Sequence, residues 1–510
     1  MLPLLLVQVP PIVDYPNHLA RMWILVNHSV IPEIAHNYAI HWRILPDMGM
    51  DLIVPVLAKF MSVVTAGRVF VGLAMLTPVV GTVVLYRVLH GRFAIWPIWS
   101  VLFVYNTVLF FGFVDCLFSC GLYMLVFGGW IASRNWRPLP RILLFSVLAA
   151  LLFSIHLFAF GLYGLTVASY ELGRRLEGRR LPLRNFWLWA RDCLQFVPGL
   201  VLWYLSLGNV SSAMTSYGNL SIKYLALFVP VHFGFAVTPL AAVMWLSLTT
   251  FIVFVLTRRA VRFIPEMKLP LVVLIVTAIL MPSWVNGSAL VDWRLPAILP
   301  SILLAVTDLE IAREGVKRAL AAVALLLLAV RVWTVNQCWQ DYEHWFNEFR
   351  QASKVIKPGS RLLIVESNIP QDQRFLPGVP NALAFIEPVL FSHMGALAVI
   401  DRSVFFPYLF TQATPLSAST RNAGIAQSAS EPVLPLMFFL SASPKTGHTL
   451  AIGPDDYGQL PYWRNWPQDF DYVLWIDFGT SGAFNVPHIR IAADGSFFKI
   501  YKITRPGEGL

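Results

Sequence analysis

Residues 67–88 read GRVFVGLAMLTPVVGTVVLYRV, and between Arg68 and Arg87 they carry no charged side chain. At 1.5 Å per residue a helix of that length reaches about 33 Å, enough to cross the hydrocarbon core of a bilayer. Lipid offers no hydrogen bonds to the backbone, so a spanning segment must be a helix or part of a closed barrel. Working outward from this stretch, similar apolar segments recur at 94–111, 114–133, 141–154, 157–173, 190–207, 236–257, 269–284, 291–310 and 319–336. A shorter one occupies residues 1–13. It has neither a basic start nor a small-residue cleavage site, so it is not a complete signal peptide and reads as the end of a first helix whose beginning is missing. The sequence thus predicts an α-helical polytopic membrane protein of about eleven transmembrane helices.

Composition agrees with that reading. The 510 residues are 57% hydrophobic and 13% charged, and the mean hydropathy is +0.64. A soluble core cannot absorb so much apolar surface. The formal net charge of +10 would in a soluble chain point to acidic partners, but here most of the charge lies in short loops, and no nucleic-acid partner is expected. Cys116, Cys120, Cys193 and Cys338 all sit in or beside apolar segments, which argues against a disulfide framework.

Orientation follows from Lys and Arg. One set of alternating loops holds Arg87 and Arg92; Arg134, Arg137 and Arg141; Arg174, Arg175, Arg179, Arg180, Arg184 and Arg191; Arg258, Arg259, Arg262 and Lys268; and Arg313, Lys317 and Arg318. The other set holds only Arg21, Arg43, Lys59, Arg68 and Lys223. Positive charge stays inside, so residues 14–66 and everything after about 337 are expected on the outer side, the periplasm of a bacterial inner membrane. The chain divides accordingly into a membrane module, 1–336, with a first periplasmic loop at 14–66 bearing surface helices, and a C-terminal extracytoplasmic α/β domain, 337–510. In that domain an amphipathic stretch, 337–356, precedes strand candidates SRLLIVE (360–366), ALAVID (396–401), DYVLWID (471–477), HIRIAA (488–493) and FFKIYKIT (497–504). Asp494-Gly495 is a hairpin signal between the last two. The Ser-, Thr- and Ala-rich interval 411–432 reads as a mobile loop.

The first loop opens with PPIVDYPNHLARMWILVNHSV, residues 10–30. Pro16 suits a first helical turn, with Asp14 just ahead of it. Asp14, His18 and Arg21 then fall near one helix face, while Leu19, Trp23 and Val26 form an apolar face suited to a helix lying on the membrane surface. Asp14 at such a position can simply cap the helix. After it come an extended stretch with Arg43 and Asp47, then a second surface helix headed by Asp51. On the outer ends of other helices lie His156, Asp115, Asp292 and Arg294.

A short first helix delivering a carboxylate to a long outer loop, followed by a bundle and an outer C-terminal domain, resembles the GT-C glycosyltransferases. The strings DYPNHLAR (14–21), GFVDCLFSCGLYML (112–125), HLFAFGLY (156–163) and VDWRLPAILP (291–300) are similar to segments of bacterial mannosyltransferase-like and arabinose-transferase-like members. Protein mannosyltransferases of this class carry two adjacent acidic residues in the first loop; here Tyr15 follows Asp14, and Asp47 or Asp51 is the candidate second carboxylate. The resemblance implies transfer of a sugar from a polyprenyl-phosphate carrier to a glycan, lipid or protein acceptor, usually with inversion. It implies no cofactor and no divalent metal, being closer to the polyprenyl-monophosphate branch than to the oligosaccharyltransferases.

The chemistry itself needs a base for the acceptor hydroxyl and positive charge or dipoles for the departing phosphate. Asp14 is the candidate general base, and His18, Arg21, Arg43, Asp47, Asp51, His156, Asp292 and Arg294 are candidate substrate-binding residues. The competing readings are a transporter or lipid flippase and a non-catalytic envelope assembly protein. A transporter would favour ionisable groups near mid-bilayer and repeated halves.

Overall fold

A computed structural model describes residues 2–176, 180–207, 215–231, 239–258, 261–285, 288–367, 389–411, 414–425, 427–428, 433–435, 439, 465–477, 486 and 488–505. The chain divides into two compact units, one formed by 44–52 and 69–334, the other by 1–43, 53–68 and 335–510. The first-loop residues 14–43 and 53–66 therefore pack with the C-terminal residues.

The unit built on 69–334 is a helical bundle. Among the described residues five helices are long and apolar enough to cross a membrane: Val63–His90, Val114–Ala132, Pro138–Ile155, Pro239–Thr257 and Glu314–Val355. Along Pro138–Ile155 the residues Leu139, Leu143, Val147 and Leu151, spaced by four, are exposed, while Phe145, Ala149, Leu152 and Phe153 are buried. A continuous apolar stripe left uncovered by protein is what a helix facing lipid presents. Val243, Leu246, Val253 and Leu256 do the same on Pro239–Thr257. These helices give the chain a membrane location.

Several expected spans take another form. The segment 94–111 is a 3-10 helix, Trp96–Phe103, followed by a short helix, Thr107–Phe111. Asn106 separates them: its side chain accepts the Leu109 amide at 3.0 Å and so caps the second piece. A break like this leaves carbonyls without helical partners, which is costly in an apolar setting. Arg331, fully buried, meets that need by donating to the carbonyls of Tyr105 and of Val231, the latter at 2.6 Å. The helix from Leu157 runs to Arg175, and near its end Glu171 is buried. It accepts Trp130 Nε1–H at 2.8 Å and pairs with Arg175, which also binds Asp192 at 2.5 Å. Arg141 lies 3.3 Å above the Trp130 ring. Several of the arginines read as topology signals thus also close internal ion pairs. Cys116 and Cys120 belong to the apolar core of this bundle, and all four cysteines are free.

The second unit contains a five-stranded sheet in the order Leu434–Pro435, Leu362–Glu366, Tyr472–Ile476, Phe498–Ile503, Ile489–Asp494. The first three strands are parallel and the last two join antiparallel. Gly495 closes the final hairpin, its amide donating to the Phe498 carbonyl at 2.9 Å. Two expectations are corrected. ALAVID is a helix, Leu397–Arg402, because an apolar run buried on every side carries no period that separates strand from helix. The 411–432 interval is not simply loop: Leu416–Ala418 pairs antiparallel with Tyr38–Ile40 of the first loop; residues 412–413, 426 and 429–432 lie outside the described set. The amphipathic stretch 337–356 continues the preceding helix, which runs unbroken over Glu314–Ala352.

The first loop is tied to C-terminal residues at several further points. Tyr38 Oη donates to the Val404 carbonyl at 3.1 Å and accepts the Phe406 amide at 2.9 Å. Asn422 Nδ2 donates to Asn37 at 3.2 Å, and the Gln8 amide donates to Glu343 at 3.0 Å. Arg350 holds Asp401 through two bonds of 2.7 Å, the fork geometry that makes an arginine–carboxylate pair directional.

Candidate functional site

The helix predicted at the start of the first loop spans Tyr15–Asn27, with Asp14 at its N-cap position and Pro16 in the first turn. The carboxylate of Asp14 makes no capping bond to that helix. The helix is covered more completely than a surface helix would be. Tyr15, Leu19, Ala20, Met22 and Ile24 are fully buried, Arg21 and Asn17 are buried on the polar side, and Trp23 and Val26 are half-buried. Much of the cover comes from the C-terminal helices Val389–Met394 and Leu397–Arg402. Gly67 permits the close fit on another side: a Cβ there would lie 2.5 Å from Tyr15 Oη and 2.9 Å from Leu19 Cδ1.

Around Asp14 the C-terminal helix contributes His393. Its Nε2 stands 3.5 Å from Asp14 Oδ1, and its Nδ1 is hydrogen-bonded to Asn17 Nδ2. The His393 ring lies against Tyr408, centroids 5.3 Å apart, and against Phe410 at 5.7 Å. His18 packs on the same Phe410 ring at 5.1 Å. Burial pushes the His393 imidazole down to about 3, so it is neutral at any ordinary pH. His18 is also held well below its usual value, first by burial and then by the positive charges of Arg21 and of a protonated His393. By contrast the Asp14 side chain keeps 18% of its surface open. The site is thus a partly open carboxylate beside the neutral His393 imidazole, with a second neutral imidazole, His18, near the buried cation Arg21, and with aromatic walls. Arg43 is exposed.

The remaining sequence candidates lie in the bundle unit. Asp47 adopts a positive φ of 63°, and its Oδ1 accepts the Leu157 amide at 2.9 Å. The same oxygen is 3.2 Å from His156 Nδ1, which accepts the Phe158 amide at 3.1 Å. Asp47 and His156 together close the first turn of the helix from Leu157. Burial lowers His156 to about 4, Arg294 adding to the shift and Asp47 opposing it. Asp51 and Asp115 are buried, with Asp115 Oδ1 against Gly49, where a Cβ would come within 2.8 Å. Asp292 accepts Ser283 Oγ–H at 2.5 Å and faces Lys223 Nζ at 3.2 Å. Arg294 lies 4.7 Å above the Phe113 ring and donates to the Ala289 carbonyl at 3.3 Å.

Asn17, His393, Tyr408 and Phe410 escaped the sequence reading. Asn17 stands inside the quoted motif and could have been found there as a polar residue one turn from Asp14 and adjacent to His18. His393 sits in the apolar run VLFSHMGALAV, 376 residues beyond its partner Asn17, where no spacing rule operates.

No family model and no curated protein matches the sequence. Among solved structures the chain is similar to the crystal structure of ArnT from Cupriavidus metallidurans in the apo state. The TM-score is 0.45 and the identity 11%, over 97% of this chain and 93% of that one. A likeness that distant leaves the chemistry to be read from the residues themselves.

Proposed function

We propose that this protein is a membrane glycosyltransferase that moves a sugar from a polyprenyl-phosphate carrier to an acceptor hydroxyl on the periplasmic face of a bacterial inner membrane, with Asp14 as the general base. About eleven helices and an outer C-terminal domain belong to the same reading, which rests on the alternation of basic loops and on the GT-C resemblance of the motif strings. The observation that carries it is the state of Asp14: at a helix N-cap position, not used as a cap, partly open and flanked by buried polar groups.

The proton and charge balance is simple. As the acceptor oxygen attacks the anomeric carbon, its proton passes to the Asp14 carboxylate. The bond from that carbon to the phosphate oxygen breaks, and the lipid phosphate leaves as a stable anion that needs cations and not an acid. Arg21, Arg43 and Arg294 are the candidate cations for the phosphate, since a guanidinium can hold two phosphate oxygens at once. His18, Asp47, Asp51, His156 and Asp292 are assigned to shaping and holding the substrates. The sugar is a hexose or pentose by resemblance, mannose- or arabinose-like.

The test is reconstitution in proteoliposomes with radiolabelled polyprenyl-phosphate sugars and glycan, lipid and peptide acceptors. Label should pass to an acceptor, and it should do so equally in EDTA, because the proposed chemistry uses no divalent ion. Ion-coupled flux without label transfer would replace this reading with a transporter, and transfer restored only by added divalent ion would refute its metal-free form.

A further inference from the structure

We propose that His393 of the C-terminal domain is a positioning residue for Asp14, locked by Asn17 into the tautomer that aims a neutral Nε2–H at the carboxylate. This rests on Asp14 as base for its catalytic consequence, but not for its geometry. Asn17 Nδ2 carries only hydrogens, so the His393 Nδ1 it meets must be the acceptor and the ring proton must sit on Nε2. The opposite amide placement would put the proton on Nδ1 and leave the Nε2 lone pair facing Asp14 Oδ1 at 3.5 Å, two acceptors with no proton between them. For a neutral ring, only the first arrangement puts a proton in both contacts. Asn17 and His393 are both buried, and Tyr408 and Phe410 fix the ring plane, so the donor has one direction.

A distance of 3.5 Å is long for a hydrogen bond, and catalytic contacts commonly tighten when substrate arrives. A donor aimed at a carboxylate oxygen orients the base and favours its ionised form. The other ionisable groups around this pair are His18 and Arg21 on the Asp14 helix, Tyr408 on the aromatic wall, and Glu366, which accepts Ser392 Oγ–H at 3.0 Å beside His393. His18 is itself neutral, and Glu366 is engaged by Ser392.

Two measurements on the full-length protein in nanodiscs test this. In the first, 15N-histidine NMR should show His393, identified by its loss in His393→Phe, as the neutral Nε2–H tautomer from pH 8 to pH 5, with an Nε2–H resonance that shifts in Asp14→Asn. An Nδ1–H tautomer, or a resonance blind to Asp14→Asn, overturns the proposal whatever the activity. In the second, His393→Phe keeps the ring stacking and removes the donor. It should lower kcat about tenfold, the size of one hydrogen bond to a charged group, leave KM for the lipid donor unchanged, and move the acid limb of the kcat–pH profile to higher pH. His393→Gln, with an amide N–H near the Nε2 position, should restore most of kcat. If Asp14→Asn is inactive while a folded His393→Phe matches wild type in kcat and pH profile, the positioning role falls and the base assignment stands. If Asp14→Asn transfers sugar normally, the base assignment falls and the NMR result alone decides the contact.

Discussion

His393 and His18 are neutral imidazoles in a site read for its acid–base chemistry, and their burial has a consequence for stability. In the unfolded chain a histidine titrates near 6.5, whereas folded His393 takes up a proton only near pH 3. Between those values the unfolded state binds more protons, so stability is fully present above about pH 6.5 and falls as the pH drops toward 3. His18 acts in the same direction. Unfolding midpoints followed from pH 7 to pH 4 should therefore decline less steeply in His393→Phe than in wild type, by about one proton's worth of slope. Parallel curves would mean that His393 is charged or solvated in the folded protein. At this scale the sequence was informative where chemistry is local. Asp14, Pro16, His18 and Arg21 sit within one helix and its cap, so their spacing shows which of them share a face. The partner that orients Asp14 comes from a helix at 389–394, and contacts across such separations leave no trace in a single sequence.

Helix contacts in the bundle depend on small residues in a similarly specific way. A Cβ on Gly121 would lie 2.3 Å from the Thr77 carbonyl carbon and 2.6 Å from Pro78 N, so Val63–His90 and Val114–Ala132 approach backbone to backbone. Across the same contact a Cβ on Gly81 would come within 2.7 Å of the Gly121 carbonyl oxygen. Small residues at such crossings let membrane helices gain dispersion contacts where no hydrophobic drive separates helix from lipid. Gly121→Ala should cost about 1–3 kcal/mol of overpacking, read as a lower unfolding temperature, while Gly129→Ala, whose Cβ would meet Phe145 at an ordinary 3.5 Å, should be near neutral. Equal effects from both would show that the close crossing is not a constraint. Elements were legible in proportion to their periodicity. The sheet strands at 362–366, 472–476, 489–494 and 498–503 were visible as β-rich runs, and the hairpin as Asp494-Gly495. Leu397–Arg402 was not, because it is buried on all sides, and the break at Asn106 was not, because Arg331, which satisfies it, lies far along the chain.

For the molecule as a whole, hydropathy and the alternation of Lys and Arg led to a membrane bundle with an outer domain, and the apolar faces left bare on the spanning helices are the structural counterpart of the first of these. Sequence patterns could not show that the first loop contributes a strand and a helix to the unit that contains the C-terminal domain, since Tyr38–Ile40 finds its partner only at Leu416–Ala418. That arrangement gives the carboxylate at the head of the loop buried polar neighbours from the far end of the chain. In the proposed reaction this carboxylate removes the acceptor proton in sugar transfer. Its most direct test is single-turnover transfer from a labelled polyprenyl-phosphate sugar by wild type and by Asp14→Asn, with equal unfolding temperatures confirming that both are folded. At least about a hundredfold loss is expected in the variant, the usual contribution of a general base. Transfer at the wild-type rate by Asp14→Asn would contradict it.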